Sequence, residues 1–170
     1  MSEVERCIGA ASQKKIAENC ARLGLHSIKP SVVDFQKPVP KSMNIPYDRI
    51  LVDAPCSGLG TLRSHPEIKW QRRDKDIQRL GRLQKELVAR AARLLKPGGI
   101  LVYSTCTLTR EENEAVVEHF LANHREFVLD DAGEYLPRQA KALVRGRYFL
   151  ALPQRHNTDG FFAARMRKAQ

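Results

Sequence analysis

Several features that would assign this chain to a well-known class of protein are absent from its 170 residues. None of the four cysteines has C-x-x-C spacing and no His-x-His cluster accompanies them, which argues against a zinc site. No apolar run approaches the roughly 18 residues that cross a bilayer, and the amino terminus lacks a basic segment followed by an apolar one. We therefore expect a cytoplasmic protein with free thiols, no bound metal and no membrane partner.

Acidic residues are few relative to basic ones. Lys and Arg number 29 against 19 Asp and Glu, so the formal net charge is +10 and the isoelectric point about 9.8. Such a surface favours an acidic polymer such as nucleic acid, although a well-hydrated basic surface is the alternative interpretation. The hydrophobic content of 42% and the length of 170 residues predict one folded domain over residues 1–170.

The hydrophobic pattern alternates between helical and extended segments. Helical spacing covers residues 5–23 and 74–95, and Thr109 with Glu112 predicts a capping box for a third helix that ends near His124. Strand-like segments lie at 28–33, 49–52, 100–103, 127–129, 148–152 and 160–166, the last two as an antiparallel pair. This order predicts an α/β fold with a mostly parallel sheet that ends in an antiparallel hairpin.

Two of the cysteines closely follow predicted strands. Asp53 and Cys56 come after the strand at 49–52, and Cys106 comes after the strand at 100–103. Open α/β sheets bind ligands at the carboxyl ends of their strands, so a pair of thiols there predicts chemistry before packing. Cys7 and Cys20 lie in the first predicted helix and are expected to be small buried hydrophobes.

Five short motifs around these cysteines extend over most of the chain. They read DAPCSGLG at 53–60, HPEIKW at 65–70, LKPGGILVYSTCT at 95–107, ENE at 112–114 and TDGFF at 158–162. In this order and at this spacing they resemble the Sun/Fmu/RsmB branch of RNA 5-methylcytosine methyltransferases. The resemblance implies a Rossmann-like fold, S-adenosylmethionine as the cofactor, and RNA, in particular ribosomal RNA, as the substrate.

The chemistry of this family explains why two thiols are needed. A thiolate that adds to carbon 6 of cytosine makes carbon 5 nucleophilic enough to accept a methyl group, but it leaves the enzyme bonded to its product. The resemblance implies that Cys106 is this nucleophile and that Cys56 assists release by acid–base action. Asp53 is expected to hydrogen-bond the cytosine ring beside the methyl donor, and Asp34 to contact the adenine of the cofactor. An ordinary strand-end turn is the alternative for both aspartates.

A basic segment follows the first cysteine motif and contains the single tryptophan of the chain. Its basic side chains can hold phosphates while Trp70 stacks on a base, as in the recognition of single-stranded RNA. A hydrated surface with one buried aromatic residue is the equally weighted alternative. The candidate RNA-binding residues are Arg63, Lys69, Trp70, Arg72 and Arg73.

The chain departs from the family at its amino-terminal side. Members of the family carry a first strand and a Gly-rich loop that cradles S-adenosylmethionine, and this sequence contains neither. The position of the acid that normally binds the ribose falls on Cys7. The resemblance therefore predicts the carboxyl-terminal part of a catalytic domain with an incomplete cofactor site. The free sheet edge along residues 50–53 is expected to pair with a missing amino-terminal portion or with another copy of the chain.

Two functions of different classes fit this sequence. The first is a methyltransferase that acts on cytosine in RNA. The second is a catalytically silent or partner-dependent RNA-binding fragment that keeps the basic surface without holding the cofactor. A cysteine hydrolase is disfavoured, because no histidine lies in a comparable strand-end motif to serve as its base.

Overall fold

The structure is a computed structural model that describes residues 4–7, 10–35 and 37–170. It divides into two compact units, residues 1–45 and residues 46–170. No helix in the described ranges is both long and apolar enough to cross a membrane.

The first unit is a crossover between two parallel strands. Strand β1 (Val4–Cys7) pairs with β2 (Ile28–Ser31), and helix α1 (Ala10–Leu23) connects them. Helix α1 ends at Gly24, whose positive φ of 65° is the left-handed conformation that glycine adopts readily. A short 3₁₀ turn, Lys41–Met43, follows in the same unit.

Two sequence predictions for this unit need correction. The first helix was expected over residues 5–23, yet Val4–Cys7 form a strand, and residues 8 and 9 lie outside the described part of the chain. The segment is extended because its backbone pairs with β2. The spacing of apolar residues along the sequence carries no information about such pairing, so it predicted a helix. Strand β2 is also shorter than predicted, so Asp34 lies in the loop after it.

The second unit contains a six-stranded mixed sheet in the order β3-β4-β8-β7-β6, with β5 on the same side of β8 as β7. The strands are β3 (Tyr47–Asp53), β4 (Leu95–Thr105), β5 (Phe127–Leu129), β6 (Val144–Arg145), β7 (Tyr148–Ala151) and β8 (Phe161–Lys168). The helices are α2 (Ile68–Gln71), α3 (Asp74–Arg93), α4 (Glu114–Asn123), α5 (Ala132–Tyr135) and α6 (Pro153–His156). The 3₁₀ turns are Leu59–Thr61, Arg110–Glu112 and Arg138–Leu143.

The predicted α/β class is confirmed, but the proportion of parallel pairing differs from the prediction. In this sheet only β3 and β4 pair in parallel, whereas β8 runs antiparallel to β4, β5 and β7, and β6 runs antiparallel to β7. The parallel pairing that was expected for most of the sheet is therefore limited, in this sheet, to β3 and β4. The terminal hairpin of β7 and β8 is confirmed.

The hydrophobic core of this unit is built from alternate residues of its two central strands. Leu101 and Tyr103 of β4 face inward opposite Met166 and Ala164 of β8, and all four are buried. Helices α3 and α4 add Val88, Ala91, Val116, Val117 and Phe120 to this core. The helix predicted at 74–95 and the one predicted to end near His124 are thereby confirmed to within two residues.

Strand β3 forms one end of the sheet of residues 46–170, where its pairing partner is β4. Leu51 on this strand is 65% exposed, which is unusual for a leucine in a strand. The sequence predicted a free sheet edge along residues 50–53, and β3 lies at the edge of this sheet. What pairs with that edge stays a prediction.

Candidate active site

The parallel pairing of β3 and β4 brings the two strand-end cysteines together. Asp53 at the end of β3 lies opposite Ser104 near the end of β4. Both chains then turn, and the Sγ atoms of Cys56 and Cys106 come within 3.2 Å of each other. The structure therefore joins the two thiols that the sequence singled out, although 50 residues separate them along the chain.

Close backbone contacts hold the loops around the thiols. The N–H of Gly60 donates to the carbonyl of Cys106 at 2.9 Å, and the N–H of Gly160 donates to the carbonyl of Gly60 at 2.7 Å. A Cβ atom at Gly60 would lie 2.5 Å from the Gly160 oxygen and 2.7 Å from the Cys106 oxygen, so only glycine fits there. The DAPCSGLG, STCT and TDGFF motifs thus meet at one place.

The hydrogen bond between the two thiols makes them electrostatically unequal. By donating its hydrogen bond, Cys56 lowers the pKa of Cys106 to about 7, against opposing effects of partial burial and of the nearby Asp53 and Glu112. Cys56 has a raised pKa, first because its proton is held by Cys106 and then because the thiol is partly buried. Near neutral pH a large fraction of Cys106 is therefore thiolate, whereas Cys56 stays a thiol.

The two predicted cofactor-side aspartates belong to different units. The exposed Asp53 carboxylate accepts a hydrogen bond from the Ser104 hydroxyl at 3.0 Å, next to the thiol pair. Asp34 lies in the first unit, where its carboxylate is 3.9 Å from the ammonium group of Lys37. Each carboxylate is open to solvent and able to accept further hydrogen bonds.

The five predicted RNA-binding residues are all exposed, and Trp70 is the large apolar side chain among them. Trp70 is 83% exposed, so the alternative of a buried aromatic residue is wrong. The Lys69 ammonium lies 5.3 Å from the centre of the Trp70 ring. An exposed indole with an adjacent cation is the combination that stacks on a base and contacts its phosphate.

Each of the three arginines among these residues makes a hydrogen bond within the second unit. The Arg72 Nε donates to the carbonyl of Ser57 at 2.9 Å, directly after Cys56. The Arg63 guanidinium donates to the Asn157 side chain at 2.6 Å. The backbone N–H of Arg73 donates to the Asp76 carboxylate at 3.1 Å at the start of α3, and Arg73 is exposed.

Sequence reasoning missed the position of Glu112. Its carboxylate was expected to cap a helix, whereas it is fully buried beneath the cysteine loops, and α4 begins only at Glu114. Thr109 does contact it, but the Thr109 hydroxyl donates to the carboxylate at 2.9 Å instead of accepting from the backbone. The ENE motif, which contains Glu112, could have pointed to a special position for this residue. The motif was part of the family resemblance, but the sequence analysis gave it no role.

A sequence model of the family described as 16S rRNA methyltransferase RsmB/F matches residues 8–167. The chain belongs to this family. The predicted resemblance is confirmed, and with it the assignment to methyltransferases that use S-adenosylmethionine.

Relatives with curated descriptions and solved structures agree with this assignment. The chain is 42% identical over 156 residues to the probable ribosomal RNA small subunit methyltransferase B of Bacillus subtilis, covering 91% of itself and 35% of that protein. It is 40% identical to the methyltransferase B of Sodalis glossinidius, covering 91% of itself and 33% of that protein. NSun6 from Pyrococcus horikoshii, crystallised with SFG, shares 30% identity at a TM-score of 0.80, with 99% of this chain and 42% of that chain covered. The chain thus spans about a third of the length of its curated relatives.

Two described residues, Asp53 and Asp34, carry the carboxylates that the sequence predicted to contact S-adenosylmethionine. Asp53 offers an exposed carboxylate beside the thiols, and Asp34 offers a second one in the first unit. Both are acceptors suited to the polar groups of such a cofactor. The Gly-rich loop that surrounds the methionine portion in the family has no counterpart among these 170 residues.

The unequal thiols lead to a prediction about alkylation. In the native protein, the rate at which iodoacetamide modifies Cys106 should rise with pH through a midpoint near 7. In Cys56→Ala the midpoint should move up towards the value of about 8.5 for an ordinary thiol, because the stabilising hydrogen bond is lost. Mass spectrometry of the peptide that contains Cys106 gives the rate at each pH. A midpoint in Cys56→Ala equal to or below that of the native protein would contradict the prediction.

Proposed function

We propose that this chain carries the catalytic thiols of an RNA cytosine-5 methyltransferase that works through a covalent adduct between cysteine and cytosine. The observation that carries the proposal is the 3.2 Å contact between Cys56 and Cys106 at the ends of adjacent parallel strands. A single nucleophilic thiol would suffice for addition. A second thiol beside it matches the need to remove the product again.

The first step assigns Cys106 as the nucleophile. Its thiolate adds to carbon 6 of cytosine, and the electron pair of the ring double bond moves to carbon 5, which becomes nucleophilic. Asp53, exposed beside the thiol pair, hydrogen-bonds the ring as it gains electron density. Bound S-adenosylmethionine would supply the electrophilic methyl group, and Asp53 is the residue of the second unit that would contact it, whereas contact of Asp34 in the first unit with its adenine stays a prediction.

The second step assigns Cys56 to release. Once the sulfur of Cys106 is bonded to carbon it carries no charge, so it no longer holds the proton of Cys56. The pKa of Cys56 can then fall, so that its thiol gives its proton to solvent and the resulting thiolate takes the proton from carbon 5. The carbon–sulfur bond breaks as the ring double bond forms again, and Cys106 leaves as a thiolate. The same hydrogen bond therefore favours addition first and proton removal later.

RNA is the proposed substrate, and ribosomal RNA is the class to which the names of the relatives point. The net charge of +10 and the exposed Lys69 and Trp70 support binding of single-stranded RNA beside the thiols. A reducing cytoplasm would keep the two adjacent thiols from forming a disulfide.

A second candidate function is a silent or partner-dependent RNA-binding fragment. It is favoured by the share of about a third of the relatives' length that the chain covers, and by the absence of the Gly-rich loop from these residues. In this case the edge strand β3 would pair with a strand from a partner chain or from another copy before the cofactor could bind.

Substitution of each thiol tests the assignment of their roles. In a protein restored with the amino-terminal part of a relative, Cys106→Ala should abolish methyl transfer to RNA. Cys56→Ala should instead accumulate a covalent protein–RNA adduct, since addition proceeds while release is blocked. Denaturing gel electrophoresis reveals the adduct as a slow band. An adduct with Cys106→Ala and none with Cys56→Ala would reverse the two roles.

The RNA surface makes a prediction about salt dependence. Affinity for a single-stranded RNA should fall with salt at a slope of about −0.7 per phosphate contact. The double substitution Lys69→Ala and Arg73→Ala should flatten that slope by one to two such contacts, as should Arg72→Ala with Arg73→Ala. Trp70→Ala should weaken binding at unchanged slope, because stacking releases no counterions.

The exposed Arg125, which lies just before β5, provides the control for charge. Strand β5 pairs with the end of β8 that is distant from the thiols. Arg125→Ala should therefore leave the slope almost unaltered. An equal effect of Arg125→Ala and Arg73→Ala would mean that binding is diffuse and not centred on Trp70.

Titration with S-adenosylmethionine separates the two candidate functions. The chain of 170 residues should bind the cofactor weakly or undetectably, because a lost charge-assisted hydrogen bond costs on the order of 1.5–3 kcal/mol and several are missing. Isothermal titration calorimetry measures this directly. Micromolar or tighter binding would show that the described residues hold the cofactor without a Gly-rich loop, and would exclude the silent-fragment interpretation.

A further inference from the structure

A buried polar cluster lies directly beneath the thiols. Ser57, Gln84, Thr107 and Glu112 are fully buried, and Asn113 is 1% exposed. Polar groups in such a position destabilise a fold unless they are well hydrogen-bonded. The proposed chemistry at the thiols does not use these side chains, so their presence requires another explanation.

The carboxylate of Glu112 lies at the centre of this cluster and accepts four hydrogen bonds. The backbone N–H of Ser57 donates to Oε1 at 2.8 Å and its hydroxyl donates to Oε2 at 2.5 Å. The Gln84 amide donates to Oε1 at 3.0 Å, and the Thr109 hydroxyl donates to Oε2 at 2.9 Å. Each oxygen therefore has two donors, which compensates for the loss of its hydration.

These contacts join the chain on both sides of the thiol pair. Ser57 directly follows Cys56. Pro55 directly precedes Cys56, and its carbonyl accepts a hydrogen bond from the Gln84 amide at 2.9 Å. The Ser57 hydroxyl is in turn 2.7 Å from the hydroxyl of Thr107, the residue after Cys106. A single carboxylate is thus connected to the backbone of one cysteine loop and, through one hydroxyl, to the other.

The backbone of Glu112 is also attached to β4. The Tyr103 hydroxyl donates to its carbonyl at 2.5 Å, and burial raises the pKa of Tyr103, which keeps this donor protonated. Tyr103 lies in the hydrophobic core, two residues before Thr105, the last residue of β4. The carboxylate therefore has a rigid support, as a residue that sets the geometry of others requires.

We infer that Glu112 is a positioning residue that holds the Cys56 loop against the Cys106 loop, so that the two sulfurs stay within hydrogen-bonding distance. Glu112 contacts none of the reacting atoms and acts through Ser57 and Thr107. The consequence for methyl transfer depends on the proposed function. The positioning role of Glu112 does not depend on the proposed function, because it concerns the protein without RNA or cofactor.

Two possible effects of Glu112 on Cys106 have opposite signs, which makes the inference testable. The negative charge of Glu112 by itself raises the pKa of Cys106, so removing only that charge should lower it. The Cys56 hydrogen bond lowers the pKa of Cys106, so disturbing the loop that carries Cys56 should raise it. The direction of the shift in Glu112→Gln distinguishes the two effects.

The decisive experiment compares Glu112→Gln with the native 170-residue chain in the absence of RNA and cofactor. An amide nitrogen in place of Oε1 or Oε2 faces donors and cannot accept their bonds, so the Cys56 loop should shift. The pH midpoint for iodoacetamide modification of Cys106 should rise, with roughly tenfold slower modification at pH 7. Glu111→Gln, an exposed neighbour with the same change of charge, is the matched control and should leave the midpoint unchanged.

Oxidative crosslinking measures the distance between the sulfurs independently. An azodicarboxamide oxidant takes two electrons and two protons from the Cys56 and Cys106 thiols, forms one disulfide and is itself reduced to the hydrazide. The native chain and Glu111→Gln should form this disulfide at the same rate. Glu112→Gln should form it several-fold more slowly, as measured by mass spectrometry of the joined peptides.

Ser57→Ala keeps the inference testable if Glu112→Gln does not fold, as judged by circular dichroism. It removes the hydroxyl between Glu112 and Thr107 but retains the backbone N–H bond, so it should produce the same upward shift to a smaller extent. A folded variant of either kind with an unchanged or lowered midpoint and native crosslinking would overturn the inference. If the protein restored with the amino-terminal part of a relative gives the expected shifts but methylates no RNA, the proposed function alone is overturned.

Discussion

The parallel pairing of β3 with β4 is the constraint on which the rest of the site depends. It places Asp53 opposite Ser104, and both strands therefore end at the same edge of the sheet. The next turns bring Cys56 and Cys106 within 3.2 Å. The close approach of Gly60 to the Cys106 carbonyl then allows no side chain at that position. A shift of one residue in this pairing would turn the side chains to opposite faces and separate the thiols.

The contact between the thiols gives different properties to two chemically identical side chains. One shared proton stabilises charge on Cys106 and disfavours it on Cys56. The difference vanishes when Cys106 becomes bonded to carbon, because its sulfur then carries no charge. A reaction that first needs a nucleophile and later needs a base suits such a pair. The Asp53 and Glu112 charges oppose ionisation of Cys106, so the hydrogen bond must outweigh them.

The hydrophobic core and the exposed Arg72 both connect to the thiol loops. The core fixes β4 through Leu101 and Tyr103, and Tyr103 donates to the carbonyl of Glu112. On the solvent side, Arg72 donates to the carbonyl of Ser57. The loop that contains Cys56 is therefore contacted by a buried carboxylate from within and by a surface arginine from outside. A buried side chain and a surface side chain therefore both bind the backbone of Ser57.

Local patterns in the sequence determined the types of most elements, the two strand-end cysteines and the family. The apolar spacing of α3 and the alternation in β8 are properties of neighbouring residues, and both elements were predicted to within two residues of their ends. Strand β4 was predicted only at 100–103 and extends over Leu95–Thr105. Tertiary structure alone decided the strand at Val4–Cys7, the mainly antiparallel pairing of β8, the exposure of Trp70 and the burial of Glu112. Each of these depends on contacts between distant residues, such as Ser57 and Glu112, which are 55 positions apart along the chain. A buried carboxylate is stabilised by whichever donors the fold brings to it, and no local period of the sequence encodes that arrangement.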